Sequence, residues 1–220
     1  MMKILPLMVV GFLILSGIGI AKTTQEINKI ESYDLLIIAP SSFTDELQPL
    51  IDHKNVIGMP ATIAALENIY EESPGRDNAE QIKYFIKHAI ETWEIKYVLL
   101  VGGRKPSLIS EEWLLPVRYS HIEDNVETPE KRYISDLYYA DIYDSYGNFS
   151  GWDTNENNVF SEWLSNKTAD DIIDLYPDVY VGRLPCRNTF EVKIMVRKII
   201  RYEQGPCDTS WFKKIVVAGG

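Results

Sequence analysis

The chain has 220 residues, of which 45% are hydrophobic and 11% aromatic; that is enough apolar surface to bury one substantial core, and it excludes a disordered polymer. The formal charge of −10 repels phosphate backbones and no cluster of Lys and Arg offsets it, so nucleic acid is excluded as a partner class. Two cysteines, Cys186 and Cys207, are too few for the dense disulfide framework of small secreted scaffolds, and their spacing suits free thiols or a bridge equally.

In chain order, Met1-Met2-Lys3 gives a short positive start, Ile4 to Ala21 is almost wholly apolar, and Gly19-Ile20-Ala21 offers small residues for cleavage. Residues 1–21 therefore read as a secretory signal peptide, with an extracellular or cell-surface product, and the alternative of a retained single-pass anchor is disfavoured because Pro6, Gly11, Gly17 and Gly19 break up the run. No second apolar stretch follows that is long enough to span a membrane. Residues 22–32 are a polar leader. Tyr33 to Ala39 (YDLLIIA) is a short apolar block bounded by Pro40-Ser41-Ser42, the pattern of a strand covered on both faces in a parallel sheet. A helix follows from Ser42 or Thr44, with Phe43, Leu47, Leu50 and Ile51 at helical spacing until Asn55. Val56 to Met59 reads as a second strand, and Pro60 as the start of a helix carrying Ile63, Leu66 and Ile69 that Ser73-Pro74-Gly75 breaks. Asp77 is placed to cap a long helix whose apolar face runs through Ile82, Phe85, Ile86, Ala89, Ile90 and Trp93. Lys96 to Val101 is the third buried strand.

This alternation predicts an α/β fold with a parallel sheet sandwiched by helices. Beyond Gly103 the pattern loosens. Leu115 to Tyr119 reads as a strand, while Tyr133 to Trp163 is rich in Asp, Asn, Gly, Ser and aromatics without a sustained period and reads as a long organised loop. Val179 to Val181 resumes the strand pattern, Phe190 to Tyr202 is an amphipathic helix, residues 205–212 read as a linker, and Lys214 to Ala218 is a further strand.

Binding sites of open parallel sheets lie beyond the carboxyl ends of the strands, which directs attention to Pro40-Ser41-Ser42, Gly102-Gly103-Arg104 and Gly219-Gly220. Val101-Gly102-Gly103-Arg104 fits neither the dinucleotide fingerprint nor the phosphate loop, and reads as a tight turn. A nucleophile needs a base in reach. His53 and His88 sit beside lysines on helices that read as solvated faces; His121, near Glu123 and Asp124, is the one histidine in a loop-like context, and Cys186 follows a strand as a structural cysteine. The acidic loop offers more. Asp153, Asn155 and Asn157 place oxygen side chains at alternate positions, Val159 falls where a calcium loop supplies a carbonyl, and Glu162 stands for the closing carboxylate, since the usual closing position is Leu164. Calcium is the cofactor these five residues fit, against a solvated Asn-rich turn.

Tyr33-Asp-Leu-Leu-Ile-Ile-Ala-Pro40, Gly75-Arg-Asp-Asn-Ala-Glu80 leading into Lys83-Tyr-Phe-Ile86, Lys96-Tyr-Val-Leu-Leu-Val-Gly102, Ser135-Asp-Leu-Tyr-Tyr-Ala-Asp141, Tyr176-Pro-Asp-Val-Tyr-Val-Gly-Arg-Leu-Pro185 and Trp211 to Gly220, taken in that order, resemble the gingipain-like cysteine peptidases. The resemblance covers nearly all of residues 33–220. It implies a secreted endopeptidase acting on polypeptides, with a caspase-like α/β fold in two side-by-side subdomains, a Cys-His dyad and bound calcium. Residues 33–204 match the first subdomain and residues 213–220 the opening strand of the second. In the family the catalytic His, in a Gly-His segment, and the catalytic Cys both lie beyond the strand matching Lys214 to Ala218. This chain has neither, and Cys186 matches a non-catalytic place. The resemblance thus implies the N-terminal portion of an endopeptidase, inactive alone. The rival readings are a non-catalytic, calcium-stabilised extracellular binding domain and a flavodoxin-like small-molecule binder.

Overall fold

A computed structural model of the chain describes residues 32–106, 111–123, 132–164, 171–205, 210 and 213–217. The signal peptide read from residues 1–21, nearly all of the leader, Cys207, most of the linker and Ala218 to Gly220 lie outside the described residues.

The centre of the molecule is β1 (Leu35–Ala39), five consecutive buried residues. A strand can be apolar at every position only when both faces of its sheet are covered. Successive side chains point to opposite faces. Leu36 and Ile38 accordingly enter one core with Ile69, Ile82, Ile86 and Leu100, while Leu35, Ile37 and Ala39 enter a second with Leu47, Leu50, Val192 and Val196. β1 pairs in parallel with β2 (Ala61–Ala65) on one side and β3 (Tyr97–Val101) on the other, and β3 pairs in parallel with β7 (Tyr180–Leu184), giving the order β2-β1-β3-β7. Helices α2 (Leu66–Glu72) and α3 (Asn78–Trp93) cover the first face; α1 (Thr44–Val56) and α4 (Thr189–Gln204) pack together over the second. The expected parallel α/β sandwich is therefore the observed one.

Several elements depart from what periodicity predicts, and the strand expected at Lys214–Ala218 is not formed over its described residues 214–217. The strand expected at Val56–Met59 is the end of α1 and its turn, and the helix expected from Pro60 begins only at Leu66; β2 occupies the five residues between. Val56 and Ile57 are 85% and 53% exposed, so these apolar residues belong to no core. Hydrogen bonds decide the register: the Pro60 carbonyl accepts from Asp34 and Leu35, and the Asn55 side chain accepts from the Ala61 amide, launching β2 at Ala61. α3 starts at its expected cap, and α4 starts at one the sequence reading did not name. Asp77 accepts from the Glu80 amide at 2.9 Å, and Asn188 from the Glu191 amide at 2.9 Å.

Within the long loop region three short strands form a separate sheet in the order β5-β4-β6: β4 (Tyr119–Glu123), β5 (Arg132–Ile134) and β6 (Glu162–Leu164). The strand predicted at Leu115–Tyr119 thus starts where its expected range ends. Among the described residues no helix is long and apolar enough to cross a membrane.

The ends of α1 and α4 are joined by a clamp: His53 Nε2 lies 2.9 Å from Glu203 Oε2, and Lys54 donates to Glu203 Oε1 at 2.6 Å. Burial would raise the Glu203 pKa, but these two partners outweigh it and hold the carboxyl below its ordinary 4.5. The clamp's stabilisation is therefore complete above that value and lost as pH falls through the lowered one. In urea titrations, Glu203→Gln is expected to be less stable than the parent at pH 7, with the difference shrinking by pH 3; a constant difference would remove Glu203 from the acid response.

Candidate functional site

The carboxyl end of the parallel sheet is sealed. The Gly102 amide donates to Leu184 O at 3.0 Å, the Gly103 amide donates to Cys186 O at 2.8 Å, and Gly103 O accepts from Leu114. Both glycine N–H groups are thus spent on backbone, and the pair is the tight turn the sequence predicts. The Arg183 guanidinium locks the same corner, with Nε and Nη2 each 2.7 Å from Asp136 and further donation to the carbonyls of Gly102, Leu115 and Pro116. A planar donor fork can satisfy a carboxylate and several carbonyls at once; a lysine cannot.

Among the described residues no cysteine meets a histidine. Cys186 is buried as a free thiol, and burial first, the Glu191 charge second, push its pKa above the usual 9.0, away from the reactive thiolate. His53 is committed to Glu203; His88 contacts Thr92 and the Trp93 ring; His121, on β4, points Nδ1 at Phe160 O, 3.4 Å away.

The richest polar geometry lies where the irregular half meets α3. Arg118 is 6% exposed and forks onto Asp77 with two bonds of 2.8 Å, its guanidinium carbon 3.7 Å from the Phe160 ring centre and 4.5 Å from that of Tyr138. Burial opposes charge at both partners. Their mutual bonds prevail, so Asp77 is lowered and Arg118 raised. Arg76 bonds Glu80 and reaches Asp153 at 2.5 Å, and Lys83 is fully buried under Tyr138. Sequence reasoning passed over these cations. The signal available to it was the polar spacing of Arg76, just before α3, with Glu80, Lys83 and Lys87 along the helix, facing an aromatic-rich segment.

The five residues proposed for calcium gather in one loop. Asp153 accepts from the amides of Asn157 and Asn158, Asn155 Oδ1 from the Asn157 amide, and Asn157 Oδ1 from the Val159 amide. Glu162 Oε2 accepts from the side-chain amides of Asn155 and Asn157 at 3.3 and 2.8 Å. Glu156 and Asn158 both take positive φ, near 60°, which wraps the loop tightly. Burial would raise Asp153, but Arg76 and the loop amides hold it below its ordinary value. Among the described residues no three His, Cys, Asp or Glu side chains converge as a metal cluster; the loop's oxygens come instead from two carboxylates, two side-chain amides and the Val159 backbone.

A four-stranded parallel sheet with helices on both faces makes this an α/β scaffold, in keeping with the caspase-like fold that the resemblance implies. The family model for peptidase family C25 matches residues 28–220, and the chain belongs to that family. No curated protein sequence matches it. The structure of dimeric latent PorU from Porphyromonas gingivalis is similar with a TM-score of 0.54 at 20% identity, over 79% of this chain and 16% of that one. The complex of RgpB pro- and mature domains from the same organism is similar with a TM-score of 0.47 at 20% identity, over 76% of this chain and 28% of that one. This chain therefore spans a small part of the length of either.

At Gly103 a Cβ would stand 2.2 Å from Pro185 O, a backbone atom with nowhere to go. Gly103→Ala is expected to lose roughly 1–3 kcal/mol or more in urea unfolding; an unchanged midpoint would show that the corner is not closed in solution.

Proposed function

We propose that residues 33–204 are the non-catalytic first subdomain of a secreted gingipain-like cysteine endopeptidase, whose Cys-His dyad is carried by a second subdomain beyond Gly220, with residues 213–220 as that subdomain's opening strand. The observation that carries this reading is the family match over residues 28–220, in a chain whose Cys186 is buried at a sealed corner and whose three histidines are each engaged elsewhere. Its surface agrees. β7 is an edge strand with Tyr180 69% exposed and stacked on Tyr97, α4 exposes Phe190 and Tyr202, and Ile215 to Val217 are about nine-tenths exposed. Large apolar groups left in water on neighbouring elements of the described residues are the kind of surface another layer covers. The part played by these residues is to hold the strand ends rigid beside the reacting centre, while polypeptide substrate is bound and cleaved elsewhere. The 220-residue chain alone is expected to show no hydrolysis of fluorogenic peptides and no labelling of Cys186 by iodoacetamide under native conditions. Hydrolysis abolished by Cys186→Ser would place the nucleophile in this chain and overturn the reading.

The 153–162 loop supports calcium as a stabilising ion through its composition, because two carboxylates and two side-chain amides gather in one tight turn, where their oxygens now accept from N–H groups that a cation would displace. Hard cations take such carboxylate, amide and carbonyl oxygens. Asp153, Asn155, Asn157, Glu162 and the Val159 carbonyl would hold it, with Arg76 already balancing one carboxylate. Calcium is then expected to raise the thermal midpoint in a concentration-dependent way that EDTA reverses and Asn157→Ala abolishes. Equal midpoints in calcium and EDTA would leave the loop as a self-bonded turn. The same calcium response with no catalytic continuation would favour a calcium-stabilised extracellular binding domain.

A further inference from the structure

Lysine is almost never fully buried unless paired, yet α3 buries Lys83 completely. Its ammonium donates to the Ser150 carbonyl and lies 4.2 Å from the ring centre of Tyr138, 5.4 Å from that of Phe149 and 5.6 Å from that of Trp152. Asp141 is equally buried. One of its oxygens accepts from Trp152 Nε1 at 2.6 Å, and the other has no hydrogen-bond partner, so it answers the ammonium through space. The segment between them closes on itself: Ser150 N donates to Ile142 O, and the Trp152–Asp141 bond ties its two ends. The other charges facing Lys83 are Arg118 from the segment before β4, Asp178 from the segment before β7, and Glu80 on α3; Asp174 and Asp178 face Asp141.

We propose that Lys83 and Asp141 form a proton-gated latch, in which the protonation of Lys83 sets how firmly the segment from Asp141 to Trp152 is clamped onto α3. An ammonium among three rings with one hydrogen-bond acceptor is held less well than a neutral amine in the same place, because burial penalises the charge.

The sign follows from the same burial. Desolvation, only partly offset by the Asp141 charge, lowers Lys83 to about 7, whereas lifting the segment returns the amine to water and to its ordinary 10.5. Between those values the closed state holds fewer protons than the open one, so closure strengthens as pH rises through that window. Asp141 acts in the opposite sense in acid. Burial raises its pKa, so its protonated form favours closure below the ordinary 3.8, and that contribution fades as pH climbs through the raised value. The latch is weakest between the two windows.

Hydrogen exchange tests this in the full chain with a chelator present, following amides of residues 141–152 after correction for intrinsic rates. Protection is expected to rise between pH 7 and 9, by up to about tenfold per pH unit, relative to the Lys83→Met variant, which keeps the length but not the proton. Parallel pH dependence in the two proteins would overturn the latch. A second measurement needs no variant: in a nitrogen-15 lysine titration by NMR, one lysine is expected to lose its proton well below the rest, and lysines that all titrate near 10.5 would equally overturn it.

Discussion

Arg118 carries a charge into the one part of the molecule that has no periodic pattern to fold it. Its guanidinium joins three things: the N-cap of α3 through Asp77, the hydroxyl of Tyr138, and the face of Phe160 next to β6. A cation desolvated against aromatic faces gains about 2 kcal/mol or more, against 0.5–1 at exposed sites. That gain, and the paired carboxylate, offset the cost of burying it. On one side the exposed Arg76 lies over the Phe160 ring and pairs with Asp153, and on the other the amine of the buried Lys83 lies over Tyr138, so the start of α3 becomes the line on which the aromatic, non-repetitive half is hung. Without Arg118, Tyr138, Trp152 and Phe160 would still collapse together, but the contacts that orient Tyr138 and Phe160 on the N-cap of α3 would be lost.

The sheet half obeys simpler rules. β1 is buried on both faces, and its alternating side chains assign one helix pair to each core. The charged corner at Arg183 then freezes the carboxyl ends of β3 and β7, where sites in such sheets are found. In this chain that place is filled by protein: glycine amides bond backbone, and Cys186 is packed away.

The legible parts of the sequence were those in which period and caps agree. Tyr33–Ala39, the Asp77-capped helix and the Phe190–Tyr202 helix all appear within a few residues of their expected bounds. The failure at residues 56–65 has a physical cause. Val56 and Ile57 are apolar but exposed, while β2 has a single large apolar residue, Ile63, among Ala and Thr and so carries little periodic signal, and its start is set by Asn55 and Pro60 rather than by hydrophobicity. Lys83 and Arg118 were missed because a charged residue ordinarily reads as solvated; only the three-dimensional proximity of Tyr138, Trp152 and Phe160 makes burial tolerable. The acidic loop was legible as a constellation, since alternating Asp and Asn produce the interlocking turn seen between Asp153 and Val159.

If buried cations fold the irregular half, their contacts with aromatic rings must be energetically coupled, not merely adjacent. The most direct measurement is a double-mutant cycle in urea with Arg118→Met and Phe160→Leu. A favourable coupling of about 1 kcal/mol or more between the two side chains is expected. Additive effects, with coupling near zero, would mean that Arg118 serves Asp77 alone and that the aromatic half is held by other means.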